Sequence, residues 1–276
     1  MSKVLRIILY IFLGFWALMV LYPLFWTFVS SLKSNQQFIL GKPWDFPKLP
    51  LMWDNFANVW NNYNIGHFLI NSVIVTVCST ALALILSAST SYVIARFSFK
   101  LRGFLFFMYV SALMIPLIMG LVPLFFLLSS LGLSNTLFGL ILVYAAYQLP
   151  FGIFVMVGFF KTLPREIEEA ASIDGSSLYG TFFKIMLPLS KPGLMSVTIM
   201  NFLTIWNEYI YGVVLVSRPE TYTLPVGIAV MQVEMQYKTE YGPLFAALVI
   251  SMIPVFIVYV LFQRQISGGI TAGAVK

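Results

Sequence analysis

Long apolar stretches alternate with short polar segments along the chain. A helix needs about 20 apolar residues to cross a hydrocarbon core of about 30 Å. Arg102 and Lys161 enclose 58 uncharged residues, which is too long for one span, and turn-forming residues at 129–135 divide this region into two. The pattern therefore predicts an all-α membrane protein, a single domain over residues 1–276. Its six transmembrane helices are predicted at about 7–29, 68–95, 104–128, 136–160, 193–216 and 243–262.

Charged residues are scarce in this chain. Of 276 residues, 16 are Lys or Arg and 10 are Asp or Glu, whereas 60% are hydrophobic. A soluble fold cannot cover so much apolar surface, so the composition excludes a soluble enzyme and a nucleic-acid-binding module. The single cysteine, Cys78, permits no intrachain disulfide, and a single histidine, His67, argues against a histidine-based metal site. We therefore expect neither a catalytic nor a metal site in this chain.

The distribution of basic residues predicts the orientation in the membrane. Six spans place both termini on one side, and the segments on that side contain 11 of the 16 basic residues. The short loop 96–103 alone contributes three basic residues and no acid. Because cytoplasmic loops are enriched in Lys and Arg, both termini are predicted to be cytoplasmic. The longer loops at about 30–67 and 217–242 then face outside, where they offer a docking surface for an external partner.

The predicted cytoplasmic loop 161–192, named the charged segment below, differs from the rest of the chain. It holds four basic and four acidic residues. Its pattern predicts a first short helix with Thr162 as N-cap, glutamates in the first turn and Gly175 at the end, because glycine readily adopts positive φ. A second, amphipathic helix is predicted at about 176–186 and is expected to stop at Leu187-Pro188. Two interpretations remain open: a docking site for another protein, and a hairpin that rests on lipid headgroups.

Part of the charged segment resembles a known motif. Glu169-Ala170-Ala171 is followed by Gly175 at the spacing E-A-A-x-x-x-G, and then, after nine intervening residues, by Ile185 and Leu187-Pro188. This is similar to the EAA motif of ABC-importer permease subunits. The residues at 92–97, 206–209 and 271–276 also resemble the carbohydrate-uptake branch of these permeases, of the maltose-permease type. The resemblance covers essentially the whole chain.

The resemblance implies a type I ABC importer permease fold with a cytoplasmic EAA coupling helix, in a bacterial or archaeal cell membrane. It also implies four partners: a second permease subunit, two cytoplasmic ATPase subunits that bind ATP and Mg, and an extracytoplasmic solute-binding protein. This chain would translocate a sugar or oligosaccharide by alternating access without being an enzyme itself. In agreement, the sequence lacks the phosphate-loop pattern G-x-x-x-x-G-K-[ST]. The residues that the resemblance assigns to ATPase coupling are Glu169, Ala170, Ala171, Asp174, Gly175, Leu187 and Pro188.

One acidic residue, Glu208, falls well inside a predicted span. Ionisable side chains at membrane depth are costly and generally face the bundle interior or a water-filled cavity. Asn201, Thr204, Glu208 and Tyr211 recur at helical spacing, so they are predicted to form one polar stripe along the substrate pathway. The alternative, that Glu208 pairs with a neighbouring helix and never meets substrate, is equally open. Two further polar residues are expected to form interhelical hydrogen bonds: Asn71 and Gln148.

The main alternative function is a stand-alone secondary transporter or channel. Such a protein would be expected to carry intramembrane charge pairs or ion-coupling carboxylates, and one glutamate within six predicted spans is thin support. A membrane-embedded enzyme would need a nucleophile–base pair or a metal cluster at membrane depth, to which one histidine and one cysteine contribute little.

Overall fold

Helices account for the regular secondary structure of the residues that the structure describes. The computed structural model describes residues 3–238 and 240–274, and within these ranges no β-strand occurs. The all-α fold predicted from the hydrophobic pattern is therefore confirmed. Over the same ranges, four helices are long and apolar enough to cross a membrane: Lys3–Ser31, Ile65–Arg96, Leu137–Thr162 and Tyr241–Gln263.

The α-helices are numbered α1 to α14 in chain order. The first seven are α1 (Lys3–Ser31), α2 (Asn35–Leu40), α3 (Asp54–Asn62), α4 (Ile65–Arg96), α5 (Arg102–Ala112), α6 (Leu121–Ser130) and α7 (Leu137–Thr162). The remaining helices are α8 (Glu166–Ile173), α9 (Leu178–Thr181), α10 (Leu187–Leu189), α11 (Lys191–Trp206), α12 (Ile210–Leu215), α13 (Leu224–Lys238) and α14 (Tyr241–Ala274). Three other helical segments are the 3₁₀ turns Leu117–Gly120 and Pro219–Thr221 and the π-helical segment Phe182–Met186.

Two of the predicted spans are interrupted. In the span predicted at 104–128, Pro116 and a 3₁₀ turn separate α5 from α6. Proline cannot donate a backbone hydrogen bond, and the residue before it is biased away from helical backbone angles. In the span predicted at 193–216, residues 207–209 separate α11 from α12. The total of six spans and the single domain therefore stay predictions.

The turn predicted at 129–135 is confirmed. α6 ends at Ser130 and α7 begins at Leu137. Between them Gly132 and Asn135 have positive φ angles of 69° and 58°, which these two residue types tolerate best. The Thr136 hydroxyl then accepts a hydrogen bond of 3.0 Å from the Gly139 amide and caps α7.

The chain forms two compact units, of which the first comprises Met1–Leu69 and Val226–Pro254. In its described residues, the loop after α1 is held by polar contacts to backbone oxygens. The Asn55 side-chain amide donates to the carbonyls of Ser31 (2.8 Å) and Lys33 (3.1 Å), and the Lys33 ammonium donates to Pro43 (3.2 Å). Burial lowers the pKa of Lys33, and the nearby Asp45 carboxylate opposes that shift.

The second unit comprises Ile70–Pro225 and Val255–Lys276. Among its described residues, buried apolar side chains form two clusters considered in turn. One cluster joins α4, α7 and α11 to the charged segment, with Met156, Phe160, Met186 and Val197 fully buried. The other surrounds Tyr144 and joins α7 to residues of α4, α6, α11 and α12. Both clusters share α7, so this helix connects the charged segment to the opposite end of the unit.

α4 and α7 approach closely at a glycine. A Cβ atom added to Gly152 would lie 2.8 Å from the Ser87 Cβ atom, closer than carbon atoms pack. One turn before α4 ends, the Ser91 hydroxyl donates a hydrogen bond of 3.2 Å to the Ile153 carbonyl. The absence of a side chain at residue 152 therefore sets how near these two helices lie.

Candidate functional site

The first helix of the charged segment is α8. Three glutamates, at 166, 168 and 169, occupy its first turn, where the helix dipole favours negative charge. The prediction that Thr162 caps this helix was wrong. Thr162 is the last residue of α7, and its hydroxyl donates a hydrogen bond of 2.7 Å to the Phe159 carbonyl. Residues 163–165 separate Thr162 from Glu166, so its side chain lies too early in the chain to cap α8.

Gly175 ends this part of the segment as predicted. Its φ angle is +77°, a conformation that side-chain-bearing residues rarely adopt. The amide of Ser176 donates to the Ala171 carbonyl at 2.9 Å and the amide of Gly175 donates to Ser172 at 3.1 Å. These bonds close the helix end as a glycine C-cap does. The surrounding space is open, with no heavy atom within 4 Å of an added Cβ, so the backbone angle alone requires glycine.

The second part of the segment differs from the prediction that Leu187-Pro188 stops the helix. Ser177 caps α9, and helical backbone then continues through Phe182–Met186 and α10 to Leu189. Pro188 lies inside this helical stretch, preceded by a π-helical segment. Proline lacks the amide needed for the regular i to i−4 bond, and local widening of a helix is one way to absorb that missing bond.

Apolar side chains project from the charged segment into the surroundings. Ile173, Leu178, Tyr179 and Phe183 are 86%, 66%, 79% and 59% exposed; we call them the apolar patch. Such a concentration of exposed large side chains is typical of an interaction site. Most residues of the EAA motif lie beside this patch. Glu169, Ala170, Asp174, Gly175 and Pro188 are exposed, Leu187 is half-buried and Ala171 is buried.

A contact that sequence reasoning missed ties α8 to α4. The Arg96 Nε atom lies 3.1 Å from the Glu168 Oε2 atom, and the Tyr92 hydroxyl donates a 2.7 Å hydrogen bond to Glu168 Oε1. The spacing of Tyr92 and Arg96, four residues apart on one helix, was the available signal. Nothing in the sequence indicated that Glu168 was their partner.

A second candidate site is a cleft of about 580 Å³ in the second unit, between residues of α5, α6, α7, α11 and α12. Two of the predicted pathway residues, Thr204 and Tyr211, line it. Asn201 is fully buried and Glu208 is half-buried, and neither of them lines the cleft. Two polar residues of α7 also line it: Tyr147, which the sequence analysis did not single out, and Gln148, for which it expected an interhelical hydrogen bond.

The predicted polar stripe is not continuous, because the helix is broken between Trp206 and Ile210. Glu208 lies in this break, where its carboxylate accepts hydrogen bonds from the amides of Tyr211 (2.7 Å) and Gly212 (3.1 Å). The carboxylate also accepts a hydrogen bond from the Tyr144 hydroxyl. Glu208 thus lies just before α12 and binds the backbone amide of Tyr211, whose side chain lines the cleft.

Asn71 and Gln148, which were both expected to form interhelical hydrogen bonds, differ in their hydrogen bonding. Asn71 donates hydrogen bonds of 2.9 Å to the carbonyls of Glu220 and Tyr222, which lie in the loop after α12 rather than on a neighbouring span. Gln148 is buried, and its Nε2 atom has no hydrogen-bond partner in the described part of the chain. The residue lines the cleft, but this buried donor forms no hydrogen bond to a neighbouring helix.

Comparison with known proteins identifies the family. Residues 83–271 match the family described as "Binding-protein-dependent transport system inner membrane component". The chain belongs to this family. The matched region includes α7, the charged segment and the cleft-lining residues of α11 and α12.

Relatives of this transport-system component match its sequence over nearly its whole length. It is 40% identical over 261 residues to the diacetylchitobiose uptake system permease protein NgcG of Streptomyces coelicolor, covering 95% of this chain and 86% of the relative. It is 32% identical to the trehalose transport system permease protein SugB of Mycobacterium tuberculosis, covering 93% of this chain and 92% of that one.

The fold of this inner-membrane component is also similar to a solved structure. A chain of a bacterial ABC transporter involved in the import of the acidic polysaccharide alginate superposes with a TM-score of 0.83 at 24% identity. The match covers 96% of this chain and 98% of that chain. This likeness shows that the two chains share a fold.

Proposed function

We propose that this chain is the permease subunit of an ATP-binding-cassette importer that moves a sugar or oligosaccharide across a bacterial or archaeal cell membrane. Two of its relatives carry the names of diacetylchitobiose and trehalose uptake systems. The observation that carries the proposal is the apolar patch beside the EAA motif, because it supplies the surface on which a coupling partner would act. The chain itself binds no ATP; ATP and Mg are bound by the partner ATPase subunits.

The apolar patch is the docking surface for an ATPase subunit. Large apolar side chains exposed to water are disfavoured, so a partner that covers them stabilises the assembly. A lipid surface fits the patch less well than a protein does. The exposed carboxylates of Glu169 and Asp174 lie close to it, and the four acids of the charged segment balance its four bases, so the segment lacks the excess of basic charge that attracts anionic headgroups. Glu169, Ala170, Ala171, Asp174, Gly175, Leu187 and Pro188 form the coupling region.

Transport then proceeds by alternating access. A second permease subunit completes the translocation pathway, and an extracytoplasmic solute-binding protein delivers the sugar to it. Closure of the two ATPase subunits on ATP moves the charged segment and favours one of two conformations of the spans. The energy available for this shift is the difference between the contacts made in the two states. This arrangement places the charged segment and both termini in the cytoplasm, as the basic residues predict.

The cleft of the second unit is part of the sugar pathway. Thr204 and Gln148 supply a hydroxyl and an amide, and Tyr147 and Tyr211 supply aromatic surface; these are the groups that a sugar ring and its hydroxyls require. Glu208 acts through the backbone of Tyr211 and holds that residue at the cleft. Asn201 is fully buried and does not line the cleft.

The coupling role is tested by replacing Gly175 with valine in the reconstituted importer. Valine disfavours positive φ, so the end of α8 must change conformation, by a strain of about 1–3 kcal/mol. We expect the variant to insert in the membrane but to hydrolyse ATP with little sugar uptake. The measurements are radiolabelled sugar uptake and phosphate release in the same proteoliposomes.

The matched control is Gly132→Val. Gly132 has nearly the same backbone angle, φ +69°, and also has open space around it, but it lies in the turn between α6 and α7. Both variants therefore carry the same kind of strain, and only Gly175→Val is expected to uncouple uptake from ATP hydrolysis. Normal uptake by Gly175→Val would contradict the docking role of the charged segment.

A further inference from the structure

A cluster of three side chains joins the first helix of the charged segment to the end of α4. Arg96 is the last residue of α4, and its guanidinium pairs with the Glu168 carboxylate on α8 at 3.1 Å. The Tyr92 hydroxyl donates to the other oxygen of the same carboxylate at 2.7 Å. Both oxygens of Glu168 are therefore bound by residues of α4, which fixes the orientation of the carboxylate.

Arg96 also holds the connection that leads into α8. Its Nη2 atom donates a 2.8 Å hydrogen bond to the Leu163 carbonyl, which lies between α7 and α8. One guanidinium thus contacts both the connection and the helix that follows it. Guanidinium presents several donors in a rigid planar fork, which suits such simultaneous contacts.

The cluster is shielded from water. The Arg96 side chain is 5% exposed and the Glu168 side chain is 20% exposed. The ring of Tyr92 packs against Phe160 of α7 at 5.6 Å and against Phe182 in the second part of the charged segment at 4.9 Å. Removing one partner of a shielded ion pair leaves the other charge uncompensated. Movements that keep Arg96 and Glu168 paired are therefore favoured, so α4, α7 and the charged segment are expected to move together.

We propose that Arg96, Glu168 and Tyr92 are positioning residues that transmit movement of the charged segment to α4. This inference rests on the proposed importer function and adds a route to it. The route continues from α4 to α7 through the close approach of Ser87 and Gly152. Residues 146–148 and 150–151 of α7 line the cleft, so a displacement at α8 reaches the proposed sugar pathway through packed elements.

The test uses the assembled importer with both permeases, its ATPase subunits and its binding protein, reconstituted in proteoliposomes. The variants are Arg96→Gln, Glu168→Gln, the double variant with both changes, and Tyr92→Phe. The control is Glu166→Gln, which removes an exposed glutamate two residues earlier on the same helix. Sugar uptake and phosphate release are measured together, and retention of the ATPase subunits is measured by co-purification.

Each single charge-removing variant is expected to retain the ATPase subunits and to hydrolyse ATP, while sugar moved per ATP falls by about tenfold or more, because one buried charge is left unpaired. The double variant is expected to lose less than the two single losses combined, as contacting residues do in double-mutant cycles. Tyr92→Phe removes only the hydroxyl and is expected to cause a smaller loss in the same direction. Glu166→Gln is expected to match the unmodified protein.

Several outcomes would overturn this inference. It is wrong if uptake per ATP in Arg96→Gln and Glu168→Gln equals that of Glu166→Gln, or if their losses simply add in the double variant. If a single variant fails to assemble, Tyr92→Phe decides, since an unchanged uptake ratio in that variant excludes the link. Failure of the unmodified chain to bind ATPase subunits would instead contradict the proposed function itself.

Discussion

At the scale of single residues, Glu208 shows how a chemically conspicuous side chain acquires its role from the backbone around it. Acidic residues are rare within long apolar segments, so the sequence alone makes Glu208 a candidate functional residue. In the structure, its carboxylate accepts hydrogen bonds from the amides of Tyr211 and Gly212 and from the Tyr144 hydroxyl. Hydrogen bonds to a charged group contribute about 1.5–3 kcal/mol each. Glu208 therefore stabilises the break before α12 and does not itself line the cleft.

We predict that Glu208→Ala impairs sugar transport by releasing Tyr211 from its position. The two amides at the start of α12 lose their acceptor, and the expected fall in uptake is about tenfold or more. Tyr144→Phe leaves the cleft lining unchanged and removes one of the three donors, so its effect is expected to be smaller. The measurement is the KM and maximal rate of uptake in proteoliposomes.

A surface carboxylate serves as the control for this prediction. Glu166 is exposed in the first turn of α8; it does not line the cleft and lies outside the loops 30–67 and 217–242 that face the external partner. Glu166→Gln should therefore transport normally. Transport by Glu208→Ala with unchanged KM and rate would show that the contact with Tyr211 does not matter for the pathway.

Local rules predicted some residues of the charged segment and failed at others. Gly175 was predictable because positive φ depends on the residue itself and its immediate neighbours. Thr162 and Pro188 were misjudged because the length of a helix also depends on what its side chains pack against. Val157, Phe160 and Met186 lie in one buried cluster, and packing of this kind stabilises helical turns that propensity alone would end.

At the scale of elements, the packing of α4 on α7 depends on one missing side chain. Gly152 faces Ser87 at a distance that leaves no room for a Cβ atom. The same helix contains Gly158, where an added Cβ has no heavy atom within 4 Å. The two glycines are alike in sequence terms, and only the neighbouring helix distinguishes them.

Gly152→Ala is expected to destabilise the protein, although alanine favours helix more than glycine does. Forcing a methyl group into a packed contact costs about 1–3 kcal/mol. Gly158→Ala is expected to be neutral or stabilising by up to about 1 kcal/mol, the difference in helix propensity. Thermal unfolding of the purified protein in detergent, followed by size-exclusion chromatography, measures both. Equal midpoints for the two variants would show that the α4–α7 contact tolerates a side chain at residue 152.

The interrupted helices show, also at the scale of elements, that hydropathy does not predict where a helix breaks. Averages over windows of apolar residues find regions that suit a membrane, but they carry no information on backbone breaks. Pro116 was a local signal for the break between α5 and α6. The break at 207–209 has no proline or glycine, and the amides freed there are bound by the side chain of Glu208.

At the scale of the whole molecule, the division of labour between subunits makes a direct prediction. The sequence contains no G-x-x-x-x-G-K-[ST] loop to hold nucleotide phosphates. The chain purified alone and reconstituted in lipid is therefore expected to release no phosphate from ATP. Addition of the second permease and the ATPase subunits is expected to produce hydrolysis that depends on the binding protein and the sugar.

A contaminant is the main source of error in that experiment, so the control is a complex whose ATPase subunits carry a Lys→Ala change in their own phosphate loop. This complex should fall to the level of the permease alone. Hydrolysis that persists in a preparation free of other proteins would contradict the assignment of ATP binding to separate subunits.

The sequence by itself determined the fold class, the location of the charged segment and the glycine that ends its first helix. Each of these follows from composition or from interactions between residues close in the chain. Only the tertiary structure decided which residues meet. It paired Glu168 with Arg96, placed Tyr147 and Gln148 beside Thr204 and Tyr211 at the cleft, and moved Glu208 from the predicted stripe to the start of α12. The first two sets of contacts join residues on different helices, and their partners depend on how the helices pack, which local spacing does not encode. Glu208 contacts amides only three and four residues ahead of it, and those amides are free because the helix breaks before α12.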